Sequence, residues 1–241
     1  MVINGKQSDW DEIRDAIIRM SASSGVDLSN WKPGDGRNAI RMLDRTPQIV
    51  HEDEHTYRQR LEKYFQTNGC DSRYDEKVID WMMSLRANRE TAKGLYLHGV
   101  PGSGKTRRME AIAKWYGIEC LDAKTLVNTI KSLKNDNARR DYIKIPSYGN
   151  STMKVYDLII DDIGCEIDKN NPFAENYQAM EWVIRERYRV FPQCKTIFAS
   201  NLPPDDLYSY YGEKNAGRIF EMCDFLDAGT NDYRTIQGEL L

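Results

Sequence analysis

Residues 99–106 read Gly-Val-Pro-Gly-Ser-Gly-Lys-Thr, a match to G-x-x-x-x-G-K-[ST], and no other stretch limits the possible folds so sharply. The octet follows Gly-Leu-Tyr-Leu-His (94–98), which reads as a short buried strand. It runs into Arg107-Arg-Met-Glu-Ala-Ile-Ala-Lys-Trp115, where apolar residues recur at helical spacing. Strand, glycine-rich loop and helix start, in that order, make a phosphate cradle. Glycines let the backbone curl until successive N–H groups point inward, Lys105 adds a positive charge near the β- and γ-phosphates, and Thr106 offers its hydroxyl to Mg²⁺. Gly99, Pro101, Gly102, Ser103, Gly104, Lys105, Thr106 and Arg107 are therefore the expected contacts to ATP or ADP.

At 241 residues the chain is long enough for a full α/β core and a smaller second unit. Strand-like runs at 117–121, 155–160 and 195–199 alternate with helical patterns at 123–133 and 174–190. That alternation predicts a parallel sheet with helices on both faces. The first 73 residues contain no strand-like run and read as a separate helical region, with helices opening at Ser8, covering Asn38–Leu43 and covering Glu54–Phe65. The ATP-binding domain is expected over 74–241, and the apolar stripe of the N-terminal region is read as core packing or a partner-docking face.

Val155–Ile160 is nearly all apolar and ends in Asp161-Asp162. A hydrophobic strand inside a parallel sheet delivers its C-terminal residues to the edge where the phosphate loop lies. Asp161 is expected to hold the Mg²⁺ water shell and Asp162 to polarise an attacking water. Thr196-Ile-Phe-Ala-Ser-Asn201 repeats the logic, with Asn201 at the strand tip in reach of a γ-phosphate or the lytic water.

Taken with Leu-Ile-Ile-Asp-Asp-Ile-Gly (158–164), Ile-Arg-Glu-Arg-Tyr (184–188) and Thr-Ile-Phe-Ala-Ser-Asn-Leu (196–202), the loop resembles the AAA+ ATPases of the DnaC helicase-loader and IstB transposition-helper group over residues 75–241. The resemblance implies a P-loop AAA+ sheet flanked by helices, without a full helical lid. It makes Gly99–Thr106 the Walker A loop, Asp161 and Asp162 the Walker B acids, and Asn201 the first sensor. Lys105, Asp161, Asp162 and Asn201 would be catalytic. It also implies that Arg218, in Gly212-Glu-Lys-Asn-Ala-Gly-Arg218, is an arginine finger reaching a neighbouring subunit's γ-phosphate, and that Arg234 is a second-sensor contact. The implied activity is ATP hydrolysis coupled to assembly of a ring or spiral that loads or remodels a replicative helicase. A transposition helper acting on double-stranded DNA and a transposase, and a nucleotide-dependent adaptor with little turnover, are the alternatives. Two departures stand out. The second Walker B acid is Asp162 where many AAA+ hydrolases carry glutamate, and the N-terminal region lacks the metal-binding cysteines of some loaders.

The net charge of −3 gives no whole-chain signature of nucleic-acid binding, so any such surface would have to be local. Residues 123–154 carry seven cations against two acids. Lys131, Lys134, Arg139, Arg140 and Lys144 are the candidates for tracking the phosphates of single-stranded DNA, with Tyr142 and Tyr148 able to stack on bases. Five scattered cysteines without a C-x-x-C pair argue against a zinc ribbon and for reduced thiols. No apolar run approaches membrane-spanning length, so the expected location is the cytoplasm.

Overall fold

The computed structural model describes residues 53–70, 73–145, 157–166 and 175–229. From Arg58 onward these residues form one compact unit. In chain order the elements are α1 (Glu54–Thr67), α2 (Arg73–Ala87), β1 (Gly94–His98), α3 (Lys105–Tyr116), β2 (Glu119–Asp122), α4 (Ala123–Ser132), α5 (Asp136–Tyr142), β3 (Leu158–Ile163), α6 (Glu175–Arg189), β4 (Thr196–Ser200), a 3₁₀ turn (Pro204–Asp206), α7 (Leu207–Met222) and β5 (Cys223–Asp227).

The five strands form one parallel sheet in the order β2-β3-β4-β1-β5. Parallel strands covered on both faces are buried along their length, and the inner strands follow this: every residue of β4 and the first four of β1 are buried. Leaving β1 the chain travels outward to β2, then returns through β3 and β4 before crossing to β5 on the far side. The strand order therefore reverses beside β1, and ligands of open parallel sheets bind in such a crevice at the carboxyl ends.

Local chemistry sets the helix limits. Asp122 ends β2 and caps α4 by accepting from Thr125 N at 2.7 Å, so strand becomes helix with no linker. Ala123, Leu126, Val127 and Ile130 then bury one face of α4 in the main core with Ile160, Val183 and Ile184. Truncating Ile130 to alanine there removes about 2–5 kcal/mol of stability. Gly117 stops α3 in a left-handed conformation, φ 64°, that few other residues adopt without strain.

The expected alternation of strands and helices is thus present, with limits moved by one to three residues. Two differences have physical causes. The strand expected over Val155–Ile160 does not stop before the two acids: β3 runs through Asp161 and Asp162 to Ile163, with a bulge between Ile160 and Ile163. The helix expected over Glu54–Phe65 also does not stand wholly apart. From Arg58 it belongs to the same unit as the phosphate loop: Arg58 pairs with Asp80 at 2.6 Å, and Tyr64 packs on Trp115 of α3 with ring centroids 5.0 Å apart. The expected helices nearer the N-terminus, and Tyr148, lie outside the described residues.

Candidate nucleotide site

Three strand tips meet at the phosphate loop. β1 supplies the loop, β4 beside it supplies Asn201, and β3 beyond β4 supplies the two acids. Gly102 (φ 84°) and Gly104 (φ 83°) take left-handed conformations inside the loop, the backbone turn that gathers N–H groups into an anion-binding nest. Gly104 immediately precedes α3, whose N-terminal end adds partial positive charge.

Lys105 is buried and its ammonium is fully engaged. Nζ donates to the carbonyls of Gly99 and Val100, both at 2.9 Å, and to Asn201 Oδ1 at 2.8 Å. The Asn201 amide in turn reaches Asp162 Oδ1 at 3.5 Å. On the other side, Thr106 hydrogen-bonds the Asp161 side chain. The two residues expected to share Mg²⁺ are therefore adjacent, although they come from α3 and β3. Burial pushes the Asp161 carboxyl above its ordinary value; the Thr106 bond opposes this, and the neighbouring Asp162 charge adds to it. A divalent cation would reverse that preference by favouring the charged form. Among the described residues no three His, Cys, Asp or Glu side chains gather as a metal cage. One hydroxyl, one carboxylate, phosphate oxygens and water are the donor set that suits Mg²⁺.

The bulge in β3 has a local consequence. Asp162 has φ 61°, an uncommon conformation for a residue with a side chain, and its N–H donates to Asp161 Oδ1 at 2.9 Å. The two consecutive acids thus escape strict strand alternation, which would send them to opposite sheet faces. Behind them, Gly164 (φ 94°) passes so close to Leu202 that a Cβ would lie 2.5 Å from Cδ1. Its N–H donates to the buried carboxylate of Glu166 at 2.7 Å, and the Tyr211 hydroxyl donates to the same carboxylate at 2.5 Å. Burial raises the Glu166 carboxyl above its ordinary value, against the opposing pull of the Tyr211 bond. His98, at the tip of β1, is shifted the other way: burial disfavours its charged form, and Lys105 adds repulsion.

Several expected residues lie elsewhere. Arg107 is exposed and donates to Gly69 O at 3.1 Å, away from the loop interior; the buried guanidinium at the loop belongs to Arg108. Arg218, on α7, bonds Asn215 Oδ1 at 3.0 Å and lies over the Tyr188 ring at 5.7 Å. Arg234 is outside the described residues. In the basic segment, Lys131 and Lys134 are exposed, Lys131 also donating to Asn176 at 2.6 Å. Lys144 pairs with Glu119 at 2.6 Å, and Arg139 closes the end of α4 through the Ile130 and Leu133 carbonyls, both at 3.0 Å. Arg140 corrects the expected surface: it is buried and ion-paired with Glu186, which removes it from any exposed DNA track.

Sequence reading missed Asp75, Arg108, Glu166 and Tyr211. A buried carboxylate has no local signature when its partner, the Arg108 guanidinium for Asp75 or the Tyr211 hydroxyl for Glu166, lies 33 or 45 residues away.

The order of strands, the glycine nest and the converging acids define a P-loop fold of the AAA+ type. No family model matches the chain. Among curated proteins it is similar to the replicative helicase loader DnaI of Bacillus subtilis (strain 168), with 30% identity over 172 residues, 64% of this chain. The chain spans about half the length of that relative, 50%. Its fold matches AMPPCP-bound DnaA from Aquifex aeolicus, with 17% identity, a TM-score of 0.50, and coverage of 70% of this chain and 52% of that one. The crystal structure of the DnaC helicase loader aligns at 24% identity and a TM-score of 0.49, over 65% of this chain and 91% of that one. The sequence similarity to DnaI agrees with the resemblance to DnaC-like AAA+ ATPases implied by the motifs. No helix among the described residues is long and apolar enough to cross a membrane.

Proposed function

We propose that this protein binds ATP with Mg²⁺ in the cradle of residues 99–106 and uses it to assemble on, and load or remodel, a replicative DNA helicase. The observation that carries the reading is the convergence of Lys105, Thr106, Asp161 and Asn201 at adjacent strand tips. Similarity to a protein named as a replicative helicase loader supports the choice of partner.

In this reading Lys105 and the loop N–H groups bind the phosphates, and Thr106 and Asp161 hold Mg²⁺. Asn201 orients the γ-phosphate or the attacking water, and Asp162 draws a proton from that water. Bound Mg²⁺ supplies charge neutralisation between the phosphates. Arg218 is the finger offered to a neighbouring subunit; within its own subunit it bonds Asn215 and lies over the Tyr188 ring. The short reach of Asp162 favours slow turnover, so ATP acts chiefly as an assembly signal and hydrolysis as release. Lys131 and Lys134 contribute to a single-stranded DNA track.

The test is affinity capture with the full chain, with ATP, ADP or no nucleotide, beside phosphate-release assays with and without single-stranded DNA. Nucleotide-dependent recovery of a hexameric helicase and DNA-stimulated turnover are expected. Recovery of a transposase instead would overturn the reading.

A further inference from the structure

Arg108 lies one turn into α3 and is almost wholly buried, as is its partner Asp75 near the start of α2. Nε donates to Asp75 Oδ1 at 2.5 Å. Nη1 donates at 2.6 Å to the carbonyl of Ser103, inside the phosphate loop. The guanidinium also fills the space beside Gly104, where a Cβ would lie 3.3 Å from Nη1. One fork thus ties a helix that precedes the P-loop strand to a single peptide group of the loop.

That peptide group joins Ser103 to Gly104. In a trans peptide the C=O and the following N–H point in opposite directions, because the unit is planar and resists twisting. Holding the Ser103 carbonyl against Arg108 therefore aims the Gly104 N–H to the opposite side. Gly104, at φ 83°, has no Cβ to limit its rotation, so something else must fix its peptide plane. Lys105 takes the carbonyls of Gly99 and Val100 but not that of Ser103. Burying an ion pair is a poor route to stability for its own sake, since apolar side chains of similar size serve as well or better.

We propose that Asp75 and Arg108 are positioning residues for the nucleotide cradle: Asp75 orients Arg108, and Arg108 turns the Ser103–Gly104 peptide so that its N–H faces the phosphates. The proposal rests on the ATP-binding reading above. It adds that cradle geometry is set from α2, outside the P-loop motif.

The experiment compares the full wild-type chain with D75L/R108M and with Arg108→Lys, reading the dissociation constant of a fluorescent ATP analogue with Mg²⁺ and the melting midpoint without nucleotide. The double variant replaces the ion pair by apolar groups of similar size and is expected to melt near wild type while binding the analogue about tenfold more weakly. Arg108→Lys keeps the charge but lacks the fork, and the same direction of change is expected. It decides the matter if the double variant does not fold. Wild-type affinity in either folded variant overturns the proposal. A wild-type chain that binds no nucleotide refutes the function reading instead, so the two failures are distinct.

Discussion

Lys105 and Asn201, 96 residues apart in the chain, meet through a 2.8 Å hydrogen bond from Nζ to Oδ1. The meeting depends on strand order: β4 lies directly against β1, with Leu97 opposite Ala199 and His98 opposite Ser200, so the two tips emerge side by side. On the proposed reading the pair divides binding from chemistry. Lys105→Ala removes charged hydrogen bonds worth about 1.5–3 kcal/mol and is expected to lower ATP affinity accordingly. Asn201→Ala is expected to leave affinity largely intact and lower kcat about 100-fold. Equilibrium binding and steady-state phosphate release separate the two.

Arg218 gives a prediction about assembly. If it serves a neighbour's site, Arg218→Ala and Lys105→Ala are each inactive alone by about 10³-fold. Mixing the two restores part of the turnover, because some interfaces then join an intact loop to an intact finger. A mixture no more active than its components excludes action in trans.

The basic segment divides into exposed and structural cations. Lys131→Ala with Lys134→Ala is expected to leave the melting midpoint unchanged and reduce the salt dependence of single-stranded DNA binding by about 0.7 per cation. Arg140→Ala is expected to cost about 1–3 kcal/mol of stability, because the buried Glu186 would keep only the more exposed Arg185 and Arg189 as partners. Urea unfolding and DNA titration at several salt concentrations distinguish these outcomes.

Glu166 introduces a pH dependence of stability. Its folded carboxyl titrates above its ordinary value of 4.5, chiefly through burial. The folded state therefore holds the proton more tightly than the unfolded chain does. The resulting stabilisation is fully present below 4.5 and is lost as pH rises through the folded value. Glu166→Gln carries no such titration. Its stability relative to wild type is expected to improve as pH rises across that window, as followed by denaturant unfolding at stepped pH. A difference flat in pH would show that Glu166 titrates normally.

The elements whose information is local could be read from the sequence. The phosphate loop announces itself through spacing, and the apolar strands at 158–160 and 196–199 through composition. Their convergence was inferable because parallel sheets send strand tips to one edge. The bulge that turns Asp162 was not, since it arises from the mismatch of β3 against β4. Arg107 and Arg108 are identical in type and adjacent, and only α2 packing against α3 decides which turns inward. Arg140 carries the same lesson: in sequence it is one more charge in a basic run, and the buried Glu186 of α6 gives it a different task.

Helix α7 passes into β5 without an intervening residue, and β5 pairs with β1 from Gly94 to His98. Its one internal departure from helical geometry is at Gly212, six positions before Arg218. The segment bearing Arg218 is therefore bolted to the strand that leads into the phosphate loop, and it has no freedom to retract independently. On the proposed reading, disengagement after hydrolysis must come from whole protomers tilting apart. The spent state would then show as a loosened assembly of rigid bodies, not as a remodelled subunit.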